Sequence, residues 1–249
     1  MAIMHQPDPT FPPLLKGHDI PGSGSAYDVA CAKASAGELG AGDVVWSRHA
    51  SRVGIAIILE PEVPLETAVQ MLPLSMVAIG DCLGALTPPQ VGLTFTWPGE
   101  IRLNGAFGGT MKAAAGGVRD AGAVPEWMVL GLWLRHRRED AEPEPGDVPD
   151  RTWLSEEGCT ELSRTEIIES YTRHFLTWLN SWNEDGFKSI HASWWFRAQE
   201  RDEEVTVELG GQTLTGVVRG LDDNGNLLLQ RDEATKAALL IDYFEFPEA

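Results

Sequence analysis

Residues 96–115 read TWPGEIRLNGAFGGTMKAAA. Within them Asn104-Gly105 is the pair that a tight hairpin turn favours, because both central positions need a positive φ. The pair joins two short runs, Ile101 to Leu103 and Phe107 to Ala115, so two neighbouring antiparallel strands are expected. Upstream, Val91 to Thr96 reads as a further short strand behind the breaker Pro88-Pro89. From Pro64 to Leu86, the apolar residues Leu65, Val69, Leu72, Met76, Ile79 and Leu83 recur every three or four positions, which predicts a helix. Pro73 and Gly80 inside it predict a kink or a break. Gly42 to Glu60 predicts two strands around the polar turn RHASR, the second (VGIAIILE) apolar enough to be buried. Ala26 to Glu38 is small, apolar and helix-compatible, and Gly40 and Gly42 end it. Met1 to Gly24, rich in proline and glycine, predicts an extended lead-in with Phe11 and Leu14 packed on the core.

Downstream, Trp127 to Arg135 (WMVLGLWLR) predicts another apolar strand, and the acidic, proline-rich Glu139 to Asp150 a surface loop. Ser163 followed by Glu166 forms a capping box, and Ile167, Ile168, Tyr171, Phe175, Trp178, Leu179 and Trp182 make the apolar stripe of a helix from Ser163 to Trp182. After Asp202 the pattern changes to short β-like runs: VTVEL, TLTGVVRG, NLLLQ and ALLIDYFEF. They predict four strands of a small β-barrel or meander, too small to stand alone and so expected to dock. The fold class expected is α+β: a mixed, largely antiparallel sheet flanked by helices, plus a small C-terminal β-barrel.

The chain has 249 residues and a net charge of −18. Nucleic-acid affinity comes largely from Lys and Arg displacing counterions, so no nucleic-acid partner is expected. No apolar run approaches the roughly 20 residues of a membrane span, and the first residues carry no secretory pattern. A cytoplasmic protein with no membrane partner is expected. Cys31, Cys82 and Cys159 lie far apart, and the six histidines are scattered, so free buried thiols and no metal site are expected.

Trp97-Pro98-Gly99-Glu100-Ile101, then Asn104-Gly105, then Gly108-Gly109, resemble a signature of the biotin/lipoate protein ligase superfamily, which reads Lys-Trp-Pro-Asn-Asp, a strand turn, and Lys-x-x-Gly-Ile-Leu. Gly37-Glu38-Leu39 and Gly42-Asp43 precede the first core strand as in those ligases, and Thr152-Trp153-Leu154 with Glu157-Gly158 resembles their Thr-Ser-Leu and following glycine. Phe187 to Trp194 before the four-strand tail resembles the end of the catalytic domain and its SH3-like appendage. The shared order and spacing carry the resemblance.

The resemblance implies a class II synthetase-like domain over residues 1–200 and an SH3-like domain over 201–249. It implies a ligase that activates a small-molecule carboxylate, biotin or lipoate, with ATP and Mg²⁺ as an acyl-adenylate, and passes it to a lysine of a carrier protein. The candidate catalytic residues are Lys112 as charge stabiliser and Glu100 as the acidic group. The candidate ligand-binding residues are Trp46, Ser47, Arg48, Trp97, Gly99, Gly108, Gly109 and Gly131. Plain alternatives stand beside several of these and two neighbours: a packed turn for Trp97-Pro98, close strand packing for Gly108 and Gly109, relief of crowding in a strand for Gly131, a core position for Trp46, a solvated charge for Arg48, Arg52 or Lys112, and an interior histidine for His191.

The sequence also departs from the family. Its Gly-Arg-Gly-Arg-x-Gly-Arg loop is replaced by the shorter Ser47 to Gly54 interval. Thr96 stands where the ligases have a lysine, Gly99-Glu100 where they have Asn-Asp, and Ala106 or Phe107 where the strand lysine belongs. Gly131-Leu132-Trp133 meets their Gly-x-Asn. Three readings stay open: a ligase with altered catalytic residues, a module on the same scaffold that binds without turnover, or a structural role alone.

Overall fold

A computed structural model describes residues 7–117 and 119–247. Its main sheet has seven strands: β1 (Lys16–Ile20), β2 (Asp43–Ser47), β3 (Arg52–Leu59), β4 (Leu93–Thr96), β5 (Glu100–Leu103), β6 (Ala106–Ala115) and β7 (Met128–Arg135). Their order is β1-β2-β3-β7-β6-β5-β4. Only β1 and β2 run parallel; the other neighbours are antiparallel.

Side chains alternate between the faces of a strand, and this parity sorts the whole centre of the sheet. Val53, Ile55 and Ile57 of β3, Met111 and Ala113 of β6, and Leu130, Leu132 and Leu134 of β7 join the larger core cluster. That cluster is completed by helices α2 (Leu65–Ala68), α3 (Met71–Leu86), α4 (Arg164–Asp185) and α5 (Lys188–Arg197). The alternate residues Ala56, Ile58, Ala114 and Val129 face α1 (Ala26–Ser35), whose Ala26, Ala30 and Ala34 let it lie close to the strands.

The long helix predicted from Pro64 breaks earlier than expected, between α2 and α3. Pro73 falls in the first turn of α3, where its missing N–H removes no helical bond, and Gly80 sits mid-helix against the Phe95 ring and Arg197 without interrupting it. The combined Leu65–Leu86 stretch is apolar enough by composition to cross a membrane, which the sequence reading did not foresee, but 78% of its most apolar 18-residue window is buried, as in a core helix. In α4 the capping box forms as expected: Ser163 accepts from Glu166 N, and the Glu166 carboxylate accepts from Ser163 N at 2.9 Å.

A second sheet of four antiparallel strands has the order β11-β10-β9-β8: β8 (Glu204–Leu209), β9 (Gln212–Leu221), β10 (Leu227–Arg231) and β11 (Ala234–Ala238). Its Val218, Leu221, Leu227 and Leu229 belong to the same core cluster as α3 and α4, so the tail is docked. The expected fourth strand ALLIDYFEF is a short 3-10 turn over Leu240–Tyr243 followed by an extended strap, and ATKAA takes the strand position instead. Phe11 is half-buried against the core, whereas Leu14 is 76% exposed. Cys31, Cys82 and Cys159 are free and buried.

His136 follows β7 and is fully buried, with Nε2 donating to Leu162 O at 2.6 Å. Burial, reinforced by Arg137 and Arg164, holds this imidazole below its ordinary 6.5. Between the two values the unfolded chain takes up a proton that the fold refuses. The stability that His136 contributes is therefore complete above about pH 6.5 and falls as the pH drops through that window. In a series of thermal melts against pH, His136→Asn is expected to flatten this part of the curve.

Candidate functional site

The face of the sheet that carries α1 is only partly covered by it. Beyond the start of the helix lies a cavity of about 410 Å³, inside the roughly 300–1,000 Å³ span of small-molecule sites. Strand parity decides its floor: Ser47, Gly54, Thr110, Lys112, Gly131 and Trp133 all point to the α1 side. The Gly22 to Ser25 turn and the first residues of α1 form one wall, with Ser25 capping the helix by accepting from Asp28 N at 3.2 Å. First-turn amides have no partner inside a helix and are donors suited to an anion. His49, from the turn between β2 and β3, and Arg52, the first residue of β3, form another wall.

Glycine at position 131 is a packing requirement. A Cβ there would come within 2.5 Å of the Tyr27 ring, which lies across the floor. Lys112 Nζ stands 5.4 Å from the centroid of that ring and 3.4 Å from the Glu245 carboxylate. Arg52 lies over the Trp133 ring at 5.8 Å, with Arg135 at 5.4 Å. His49 is pushed towards neutrality, first by burial and then by Arg52 and Arg164. Among the described residues, the cations facing the cavity are thus Lys112 and Arg52, and the lining carboxylate is Asp28.

Of the ligand-binding candidates, Ser47 and Gly131 line this cavity, as does the catalytic candidate Lys112. The others are placed elsewhere. Trp46, one residue from Ser47, faces the opposite side, joins the helix-layer core and carries Arg48 at 4.8 Å and Arg164 at 5.4 Å over its ring. Arg48 turns away to Asp8 at 2.7 Å and Asp19 at 2.8 Å. Trp97 is buried and donates from Nε1 to Gly225 O at 3.1 Å, so it anchors the tail sheet. A side chain on Gly99 would strike Met111 O and Tyr243, one on Gly108 the Leu103 side chain, and one on Gly109 the backbone of β7. Gly99 and Gly109 thus permit close backbone approach, and Gly108 makes room for the Leu103 side chain. Glu100 pairs across the strands with Thr110 but holds Arg102 at 2.7 Å. Sequence reasoning missed the Gly-Ser-Gly-Ser turn before α1, although a glycine-rich turn ending in a helix cap was a readable signal. It also missed Gly54, Thr110 and Trp133 as lining residues, which parity shared with Lys112 and Ser47 would have given. Among the described residues no group of three His, Cys, Asp or Glu side chains is gathered for a metal ion.

The model of the biotin/lipoate A/B protein ligase family matches residues 11–196, and that of the biotin protein ligase C-terminal domain matches 202–238. A biotin–[acetyl-CoA-carboxylase] ligase of Paracoccus denitrificans is 27% identical over 186 residues, covering 74% of this chain and 76% of that protein. The bifunctional ligase/repressor BirA of Bacillus subtilis is 25% identical over 201 residues, 77% of this chain, and the chain spans only 58% of its length. A crystal structure of a biotin protein ligase-like protein of unknown function from Silicibacter sp. TM1040 superimposes with a TM-score of 0.85 at 35% identity, over 95% of this chain and 99% of that one.

Proposed function

The chain belongs to the biotin/lipoate A/B protein ligase family, and from that premise we propose that it activates a small carboxylic acid of the biotin or lipoate kind with ATP and transfers it to a carrier-protein lysine. The observation that carries this reading is the cavity beside the start of α1, in which Lys112 and Arg52 face a space large enough for one such acid. In the first step a carboxylate oxygen attacks the α-phosphorus of ATP, and pyrophosphate leaves. In the second, the carrier amine attacks the acyl carbon of the mixed anhydride and AMP leaves. Lys112 and Arg52 would offset the negative charge that gathers as carboxylate and phosphate meet, while the α1 turn supplies neutral donors. Among the described residues the acidic groups do not converge on a metal position.

A second reading, binding without turnover, is favoured by Arg48. Its guanidinium is engaged by Asp8 and Asp19, which leaves Arg52, the first residue of β3, facing the cavity. The two readings separate in one experiment. The protein is incubated with ATP, Mg²⁺ and biotin, lipoate or octanoate, and pyrophosphate is measured alongside calorimetric titration of each acid. Pyrophosphate release supports the ligase; heat of binding without release supports the second reading; neither sinks the carboxylate site. A cytoplasmic setting, the absence of a nucleic-acid partner and the division of the chain at 200/201 belong to the same proposal.

A further inference from the structure

β6 is paired with β5 only as far as Thr110. The Met111 amide still donates to Gly99 O at 2.7 Å, and from the Met111 carbonyl onward the edge is filled by the strap that follows the tail sheet. Tyr243 Oη donates to Met111 O at 2.7 Å. Glu245 N donates to Ala113 O at 2.9 Å, and Ala115 N donates to Glu245 O at 3.0 Å. Ala114 and Glu245 thus form a parallel bridge. Arg119 adds a side-chain grip, with its guanidinium on Asp242 and 5.4 Å from the centre of the Phe246 ring.

These backbone bonds fix where the Glu245 side chain starts. Its carboxylate comes to 3.4 Å from Lys112 Nζ, with 53% and 51% of the two side chains exposed. Lys112 therefore stands between the cavity, the Tyr27 ring and a carboxylate delivered from the far end of the chain. An acid entering the cavity meets Lys112 already shared with Glu245. An uncharged derivative of the same acid meets no such repulsion.

We propose that Glu245 is a specificity-determining residue: a counter-ion carried by the C-terminal strap that lowers the preference of the cavity for a carboxylate over its uncharged amide. The proposal rests on reading the cavity as a carboxylate site. Freeing a half-exposed lysine from its counter-ion changes its affinity for a charged ligand by about three- to tenfold.

The test is calorimetric titration of the full chain with biotin, octanoate and their primary amides, comparing wild type with Glu245→Gln. Glutamine keeps the size of an exposed side chain on a strap held by its backbone, so the fold is retained. Both acids are expected to bind about three- to tenfold tighter to the variant, with the amides unchanged within about twofold. Adding Lys112→Met is expected to erase the gain. An equal change for acids and amides, an unchanged acid-to-amide ratio, or a gain that survives Lys112→Met overturns the proposal and leaves the carboxylate site standing. A gain for octanoate with no binding of biotin supports the counter-ion and removes the vitamin. No acid bound by either protein overturns both.

Discussion

Lys112→Ala is expected to lower pyrophosphate release by about 10²- to 10³-fold, the usual cost of losing one preorganised charge opposite a developing anion. The argument rests on place. Lys112 sits on β6 between Thr110 and Ala114, and parity turns it to the α1 face with Ser47 and Gly131. Its stability cost should be slight, because its ion pair with Glu245 is half exposed, and such pairs contribute about 0–1 kcal/mol. Activity and stability therefore part company: kcat/KM collapses while the denaturation midpoint barely moves. Lys112→Arg should restore part of the rate, since it keeps the charge and changes its shape. Wild-type turnover in Lys112→Ala would remove this residue from the chemistry and transfer the role to Arg52.

Trp97→Ala is expected to cost about 3–5 kcal/mol, the range for deleting a large buried aromatic, and to loosen the tail sheet. Trp97 is 6% exposed and lies in the cluster that holds Leu227 and Leu229 of the tail, with its indole N–H on Gly225 O. Gln70 spans the same junction, receiving the Trp182 indole N–H at 2.6 Å and donating to Asp223 O at 2.7 Å. Trp97→Phe should retain most of the packing and lose the hydrogen bond, at about 1–3 kcal/mol. Urea denaturation of both variants, with calorimetric biotin affinity of the phenylalanine form, checks this. Affinity lost in Trp97→Phe at unchanged stability would return Trp97 to the ligand wall.

The sequence made the layered α+β plan legible because its strongest signals are local. The Ser163-Glu166 box, the apolar stripe of α4 and the Asn104-Gly105 turn all depend on neighbours within a few positions, and all formed. β1 was missed because KGHDI is an edge strand whose first four residues are not buried, so it shows no apolar alternation. ALLIDYFEF misled because its apolar residues are buried by the junction and the β6 edge, not by strand pairing within the tail. The site was half legible for the same reason. Ser47, Lys112 and Gly131 follow once strand faces are known. Trp97 and Arg48 do not, since their partners lie 128 and 40 residues away and nothing local announces them.

Cutting the chain after Tyr243 would leave the amide of Ala115 and the carbonyl of Ala113 bare on the flank of β6. A strand margin of that kind is a template for the backbone of another molecule. A protease nick there, or a trimmed C-terminus, would turn a sealed flank into a seed for aggregation well before it unfolded the core.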